Sequence, residues 1–453
     1  MLGLIYRVDT KPEGKMRISI PRYDERIIGL PDKSFVFTNS ERRMAACPRR
    51  HYFGYSERLK PLSTPSVLRL GTAWHSIMEV AYRYWMEHDS AVPVDLLYDE
   101  VERFSNETLV SVFDGFQERT DWEKEVIILR NALDGWIYKR GLDPYRLFKV
   151  VGVEIPLAAP ILNPKTGRQF RPQGYLIQTD FGLREARSGE AYNDSAVSVR
   201  WPYYQIGRLD AVIAHRKTGN IWALDHKFSS SPESYLKNAL YDPQLPGYCW
   251  LLQHNIKLGN IKSIDKNQKV SGFMYEVASS QPQRDPKLLL NKTLSMAANA
   301  RVPSWRFIKA CVEHGLDQSD YEEYIESRKI RVDDGLYLTE WLTLQGENYK
   351  QYSEEIYGIA AKLSKLKREA AKLGEGSSVY TTHPRVPICR LPGGSCSFKA
   401  PCFQDGKEIR DSYSIGEGVR WMNEVENNDL PIEIDGQVIG KNEKEEKRRD
   451  LGW

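Results

Sequence analysis

The residues with the plainest chemistry are Asp210, Asp225 and Lys227. Asp210 stands in GRLDAVIA, and Asp225 and Lys227 stand in IWALDHKF. Both runs are apolar and strand-like, and Lys217-Thr218-Gly219-Asn220 between them makes a good hairpin turn. Side chains alternate along a strand, so Asp225 and Lys227 share one face and His226 takes the other. Pairing across the hairpin lets Asp210 face Asp225. Two carboxylates brought together repel each other unless a cation joins them, and Mg2+ and Mn2+ prefer such oxygen ligands. A lysine beside them lowers the proton affinity of a nearby water, or steers it, and offsets anionic charge. The acid-x-Lys pattern alone is weak. It recurs at Asp9/Lys11, Glu13/Lys15, Asp285/Lys287 and Glu445/Lys447, none of them in an apolar hairpin that follows an aspartate. The bland alternative is a same-face ion pair on an edge strand.

The elements that must position these residues alternate in type. Residues 148–158, 204–214, 220–228 and 269–278 read as strands. Residues 66–88, 95–141, 233–254 and 351–373 read as helices, with Pro243 and Pro246 disturbing the third. His75, Met78, Glu79 and Tyr82 recur on one face of the first helix, and Gln244 and Tyr248 lie four apart on the third. In the last, Ile356, Ile359, Leu363, Leu366 and Leu373 form an apolar stripe that Gly374 closes. Glu154, on the strand before the hairpin, either supports the acidic pair or is a strand-end charge. The expected organisation is a leader over 1–38, a core over 39–280, a charged insertion over 281–346, a helix with a cysteine triplet over 347–405, and an extension with a mobile tail over 406–453.

The chain has 453 residues, 41% of them hydrophobic, which is ample for a buried core. No run approaches about 20 apolar residues, and the first residues lack a signal-peptide core, so the expectation is a cytoplasmic protein without a membrane span. Lys and Arg number 64 against 61 Asp and Glu, a net charge of only +3. Bulk charge of that size does not hold nucleic acid, so any such site is a local basic groove.

Five segments, in order, carry a family resemblance: CPRRHYFGY, GTAWHSIME, GRLDAV with ALDHK, Gln244-Leu245-Pro246-Gly247-Tyr248, and the cysteines of CRLPGGSCSFKAPC. Together they resemble the PD-(D/E)XK nuclease superfamily, in particular its RecB-like branch, from about residue 40 to 405. The resemblance implies a restriction-endonuclease-like α/β fold, a mixed central sheet flanked by helices with helical insertions. It implies that His75, Asp210, Asp225 and the main-chain carbonyl of His226 ligate Mg2+ or Mn2+. Lys227 would orient or activate the attacking water, and Gln244 and Tyr248 would contact the substrate near the scissile phosphate. Asp225 stands where many relatives have Glu, which draws the carboxylate about one methylene closer to the backbone. The implied activity is phosphodiester hydrolysis in DNA, with exonuclease action on single-stranded ends as the first reading. The alternatives are a non-catalytic DNA-binding scaffold subunit and a structure-specific endonuclease.

The resemblance further implies a [4Fe–4S] cluster on Cys47, Cys389, Cys396 and Cys402, joining the N- and C-terminal parts. The six residues between Cys389 and Cys396 make a longer gap than the resemblance leads one to expect. Structural zinc or buried thiols are the alternatives, although zinc sites usually draw on close CxxC pairs, which are absent here. Arg49, Arg50 and Tyr52, with Phe53 and Tyr55, suit a single-stranded DNA track in which cations follow phosphates and rings stack on bases. A packing patch with surface arginines is the alternative. No GxxxxGK[ST] loop is present, so the chain is no helicase by itself and would act alone or beside a helicase or recombination partner, in a bacterial cell or a virus-infected host.

Overall fold

The computed structural model describes residues 27–415, apart from short stretches of which 62–65, 140–146, 375–389 and 403–412 are the longest, together with 432–434 and 437–439. In chain order the elements are β1 (Phe35–Thr38), α1 (Asn39–Met44), α2 (Pro48–His51), β2 (Leu59–Pro61), α3 (Ser66–His88), α4 (Val94–Val112), α5 (Phe116–Lys139) and β3 (Phe148–Pro160). A small meander of β4 (Gln173–Thr179), β5 (Gly182–Glu185) and β6 (Ala196–Arg200) follows. Next come β7 (Tyr203–His215), β8 (Ile221–Ser229), α6 (Pro232–Lys237), α7 (Gln244–Lys257) and β9 (Val270–Ser279). After them come α8 (Ser304–Glu313), α9 (Glu322–Arg328), α10 (Asp334–Leu336), β10 (Tyr337–Thr343) and α11 (Gly346–Leu373), and then short strands outside the central sheet at Arg390–Leu391, Gly394–Ser395, Tyr413–Ile415, Ile432–Ile434 and Gln437–Ile439.

The fold is α/β, with a mixed sheet of six strands in the order β1-β7-β8-β9-β10 and β3 on the other edge of β7. The β7–β8 hairpin turns through Gly219, whose φ of 69° is open to glycine without strain. The β8–β9 pair is parallel, so the chain between them crosses over through α6 and α7. Helices cover both faces. The stripe Ala73, Trp74, Ile77, Met78, Ala81 and Tyr82 of α3 is buried with α4 and α5 against Val153, Ala211, Ile213 and Leu224. On the opposite face α7 buries Leu245, Tyr248, Leu251 and Leu252 against Ile155, Leu209, Ala223 and Tyr275.

Two features of β7 shape everything that follows. Along one edge it pairs with β1 over Tyr203–Ile206 and with β8 over Ala211–Ala214, and residues 207–210 lie between these two partners. On its other edge it pairs with β3, where Val153 opposes Ala211 and Ile155 opposes Leu209. Residues two apart in a strand normally share a face. Here Val153 and Ala211 face α3 whereas Ile155 and Leu209 face α7. The switch falls on Glu154, whose φ of 50° is left-handed. Such a backbone is costly for a residue with a Cβ, of order 1–3 kcal/mol, and clusters at functional sites.

The sequence reading of 281–346 as an insertion covers a small apolar cluster around Phe307, Cys311, Tyr321 and Ile325, but its last part, β10, is an edge strand of the central sheet, paired antiparallel to β9. The helical region read over 95–141 divides into α4 and α5. The stripe of α11 is buried at Ile356 and Leu363 against Phe35, Phe37 and Tyr203, while Leu373 is exposed. The mobile tail expected from Lys441 onward lies outside the described residues.

Candidate metal centre

Asp210 lies in the stretch of β7 that neither β1 nor β8 covers. Its Oδ2 accepts the main-chain N–H of His226 at 2.7 Å and lies 3.1 Å from His75 Nδ1 on α3. It therefore takes up a backbone donor of β8 just beyond the paired part of the hairpin. Glu154, brought alongside by the left-handed turn in β3, completes a group in which His75, Glu154 and Asp210 each offer one ligand atom within 4.8 Å of the others. The expectation that Asp210 and Asp225 form the central carboxylate pair is thus replaced in part: the carboxylate that converges with Asp210 and His75 is that of Glu154.

Asp225, His226 and Lys227 follow the period of two. Asp225 and Lys227 project toward α7, where Lys227 Nζ pairs with Asp225 Oδ2 and Gln244 Nε2 reaches Asp225 Oδ1 at 3.3 Å. Gln244 also donates to the Tyr248 hydroxyl at 2.7 Å, so the i, i+4 pair does meet on one helical face. A Cβ on Gly207 would lie 2.9 Å from the Tyr248 ring, so this glycine is the space the ring occupies. His226 projects the other way, toward α3. Its Nδ1 lies 3.1 Å from Glu276 Oε2, and Glu276 Oε1 accepts the Tyr82 hydroxyl at 2.8 Å. The atom of His226 placed against the acidic group is its main-chain N–H.

Burial and charge pull these groups apart in proton affinity. Burial pushes the Glu154 carboxyl up to about 8, with Asp210 adding to the rise and Arg208, at 3.0 Å, opposing it. Burial acts the same way on Asp210, but the charge and hydrogen bond of His75 outweigh it and hold that carboxyl well below the usual range. His75 is raised in turn, since Asp210 overcomes the cost of its burial. Asp225 is pushed up to about 6 by burial and by Asp210, against Lys227. Two partly buried carboxylates, one held ionised and one driven toward protonation, form a donor set that a divalent cation relieves. One imidazole nitrogen and two carboxylate oxygens suit Mg2+ or Mn2+.

The structure overturns the iron–sulfur expectation. Among the described residues the one converging group of possible ligands is His75, Glu154 and Asp210, and no cysteine belongs to it. Cys47, Cys396 and Cys402 belong to no such group, and Cys396 and Cys402 pack with Tyr52, Phe53 and Phe398 in an apolar cluster. Cys389 lies outside the described residues. What joins the N-terminal segment to α11 is a set of ion pairs. Glu41 takes Lys367 at 3.2 Å and His51 Nε2 at 2.9 Å, and Arg42 pairs with Glu355.

The proposed nucleic-acid track is also redrawn. Tyr52 is 0% exposed and its hydroxyl meets Ser188 at 2.6 Å, so no base can stack on its ring. Arg49 is buried with its guanidinium over Phe53, and Arg50 is half-buried. The π-helical turn Tyr52–Ser56 directs these rings inward, which the mixed Arg/aromatic composition did not reveal. The exposed arginine of this region is Arg43.

Among the described residues no helix is long and apolar enough to cross a membrane. No curated protein matches the chain. A family model described as the PD-(D/E)XK nuclease superfamily matches residues 40–403, a span that begins in α1, takes in every strand of the central sheet but β1 and ends beyond α11. The mixed sheet between two helical layers and the group formed by Glu154 on β3, Asp210 on β7 and His75 on α3 agree with that match, and the chain belongs to the PD-(D/E)XK nuclease superfamily.

Proposed function

We propose that this protein is a metal-dependent deoxyribonuclease of the RecB-like branch, hydrolysing phosphodiester bonds at the ends of single-stranded DNA. The observation that carries the reading is the convergence of His75, Glu154 and Asp210 beside the Asp225–Lys227 pair. His75, Glu154 and Asp210 would hold the cation, and Asp225 adds carboxylate charge near Asp210. When bound, Mg2+ or Mn2+ supplies Lewis-acid polarisation of the phosphoryl oxygen and of the attacking water. Lys227, kept protonated by Asp225 despite burial, orients that water and offsets phosphate charge. Gln244 and Tyr248 hold Asp225 and line the approach from α7. In this reading the core spans 39–280 and is completed by α11, and the enzyme works in recombination, repair or viral DNA processing, alone or beside a helicase.

The test is digestion of DNA labelled at either end, linear or circular, single- or double-stranded, with Mg2+, Mn2+ or a chelator. Metal-dependent loss of linear single strands with circles intact is the expected result. Cleavage of circles would replace the exonuclease with an endonuclease, and binding without cleavage under every metal would leave a scaffold subunit.

A further inference from the structure

Arg43 on α1 is tied to the catalytic face of α7, about two hundred residues away in the chain. Its Nη2 meets both oxygens of Asp242, at 2.6 and 2.8 Å, and Gln244 Oε1 at 3.3 Å. Asp242 is itself fixed. It accepts the main-chain N–H of Gln244 at the start of α7 and the Tyr275 hydroxyl at 3.2 Å. Gln244 in turn gives its Nε2 to Asp225 and Tyr248. The orientation of that amide follows from its neighbours: turned over, it would set an NH2 against a guanidinium and a carbonyl against a carboxylate. One side-chain amide therefore separates Arg43 from Asp225.

The arginine is half open. Its side chain is 49% exposed, and all its hydrogen bonds to described residues use Nη2. A guanidinium presents five N–H donors in one plane, and both of its paired edges, Nε/Nη2 and Nη1/Nη2, include the Nη2 that Asp242 and Gln244 take up, so these contacts leave single N–H donors on Nε and Nη1 for a ligand. Asp242 keeps the guanidinium in place, and a guanidinium fixed beside a phosphodiester site gives a charge-assisted hydrogen bond to one phosphate oxygen. Arg49 and Tyr52 are buried and do not offer a rival contact.

We propose that Arg43 is a phosphate-binding residue that grips the DNA strand next to the scissile position, with Asp242 and Gln244 as its positioning residues. The proposal rests on the nuclease reading above. Its test is fluorescence anisotropy of a labelled single-stranded oligonucleotide, in chelator, across a range of salt, with wild-type protein, Arg43→Gln and Arg43→Lys. Each phosphate contact contributes about 0.7 to the slope of log affinity against log salt for a single strand. Arg43→Gln lowers the slope by about that amount, Arg43→Lys restores most of it, and in cleavage assays the Gln variant's loss lies in KM rather than in kcat. A slope equal to wild type in Arg43→Gln, with cleavage reduced through kcat, would mean that Arg43 only orients Gln244 and would overturn the proposal. A wild-type protein that neither binds nor cuts DNA sinks the nuclease reading as well. A wild-type protein that does both, with an unchanged variant slope, sinks this proposal alone.

Discussion

Glu154 is the residue on which the metal centre turns. Its left-handed backbone carries it from ordinary strand alternation into the company of His75 and Asp210, and burial beside Asp210 pushes its carboxyl up to about 8. On the proposed reading Arg208 offsets its charge only in part, and a cation would complete the compensation. Glu154→Gln should weaken Mn2+ binding, read by calorimetry, by more than the roughly 10–100-fold that loss of a supporting partner costs. An unchanged affinity would remove Glu154 from the ligand set. Gly207 matters for the opposite reason, in that it contributes nothing but space. In Gly207→Ala the new Cβ meets the Tyr248 ring at 2.9 Å. Overpacking of this kind costs about 1–3 kcal/mol. Urea unfolding should show that loss, and cleavage should fall with it because Tyr248 carries Gln244 on Asp225.

At the scale of elements, β8 holds the two halves of the site on opposite faces. Asp225 and Lys227 look to α7, and His226 looks to α3 and the buried pair of Glu276 and Tyr82. The His226 main chain also donates to Asp210, so the Glu276 contact fixes the strand from behind at the point where it leaves β7. Glu276→Leu leaves the Tyr82 hydroxyl without this acceptor inside the core and removes the carboxylate beside the His226 ring. Each buried polar group stranded in this way costs about 1–3 kcal/mol, so chemical denaturation should show a loss of that order or more. Stability equal to wild type would mean that the pair is dispensable to the sheet. The alternation along β8 was legible in IWALDHKF because the period of two is a local property of a strand. The edge strand β10 was not, since YLTEWLT sits within a charged region and only its pairing with β9 makes it part of the sheet.

At the scale of the molecule, the first segment and the last helix are clasped by a buried charge network. Burial alone would raise the Glu41 carboxyl, but Lys367 and then His51 outweigh it and hold it below the ordinary 4.5. A carboxyl depressed in the folded state contributes stability that is fully present above its unfolded value and is lost as pH falls through the folded value. Comparing wild type with Glu41→Gln by urea unfolding should therefore give a difference that is largest at neutral pH and shrinks as the pH drops below about 4.5. A difference that grows on acidification would contradict the assignment. The clasp also accounts for how residues near 40 come to border a site built on residues near 210 to 245: α1 is held down at Glu41 and Arg42, which leaves Arg43 over the start of α7.

The sequence alone determined the hairpin with Asp210, Asp225 and Lys227, the helices bearing His75 and Gln244, and the α/β class, because each depends on short-range periodicity and turn chemistry. Only the tertiary structure decided which of these residues converge. Glu154 entered through a single φ value, and Arg43 through packing across two hundred residues. Tyr52 left the substrate track because a π-helical turn buried it and Arg49 because its guanidinium packs over Phe53, and the described cysteines formed no cluster because spacing along a chain does not bring sulfur atoms together. Chemistry at a site depends on distances of a few ångströms between segments remote in sequence, and those distances are set by the packing of whole elements.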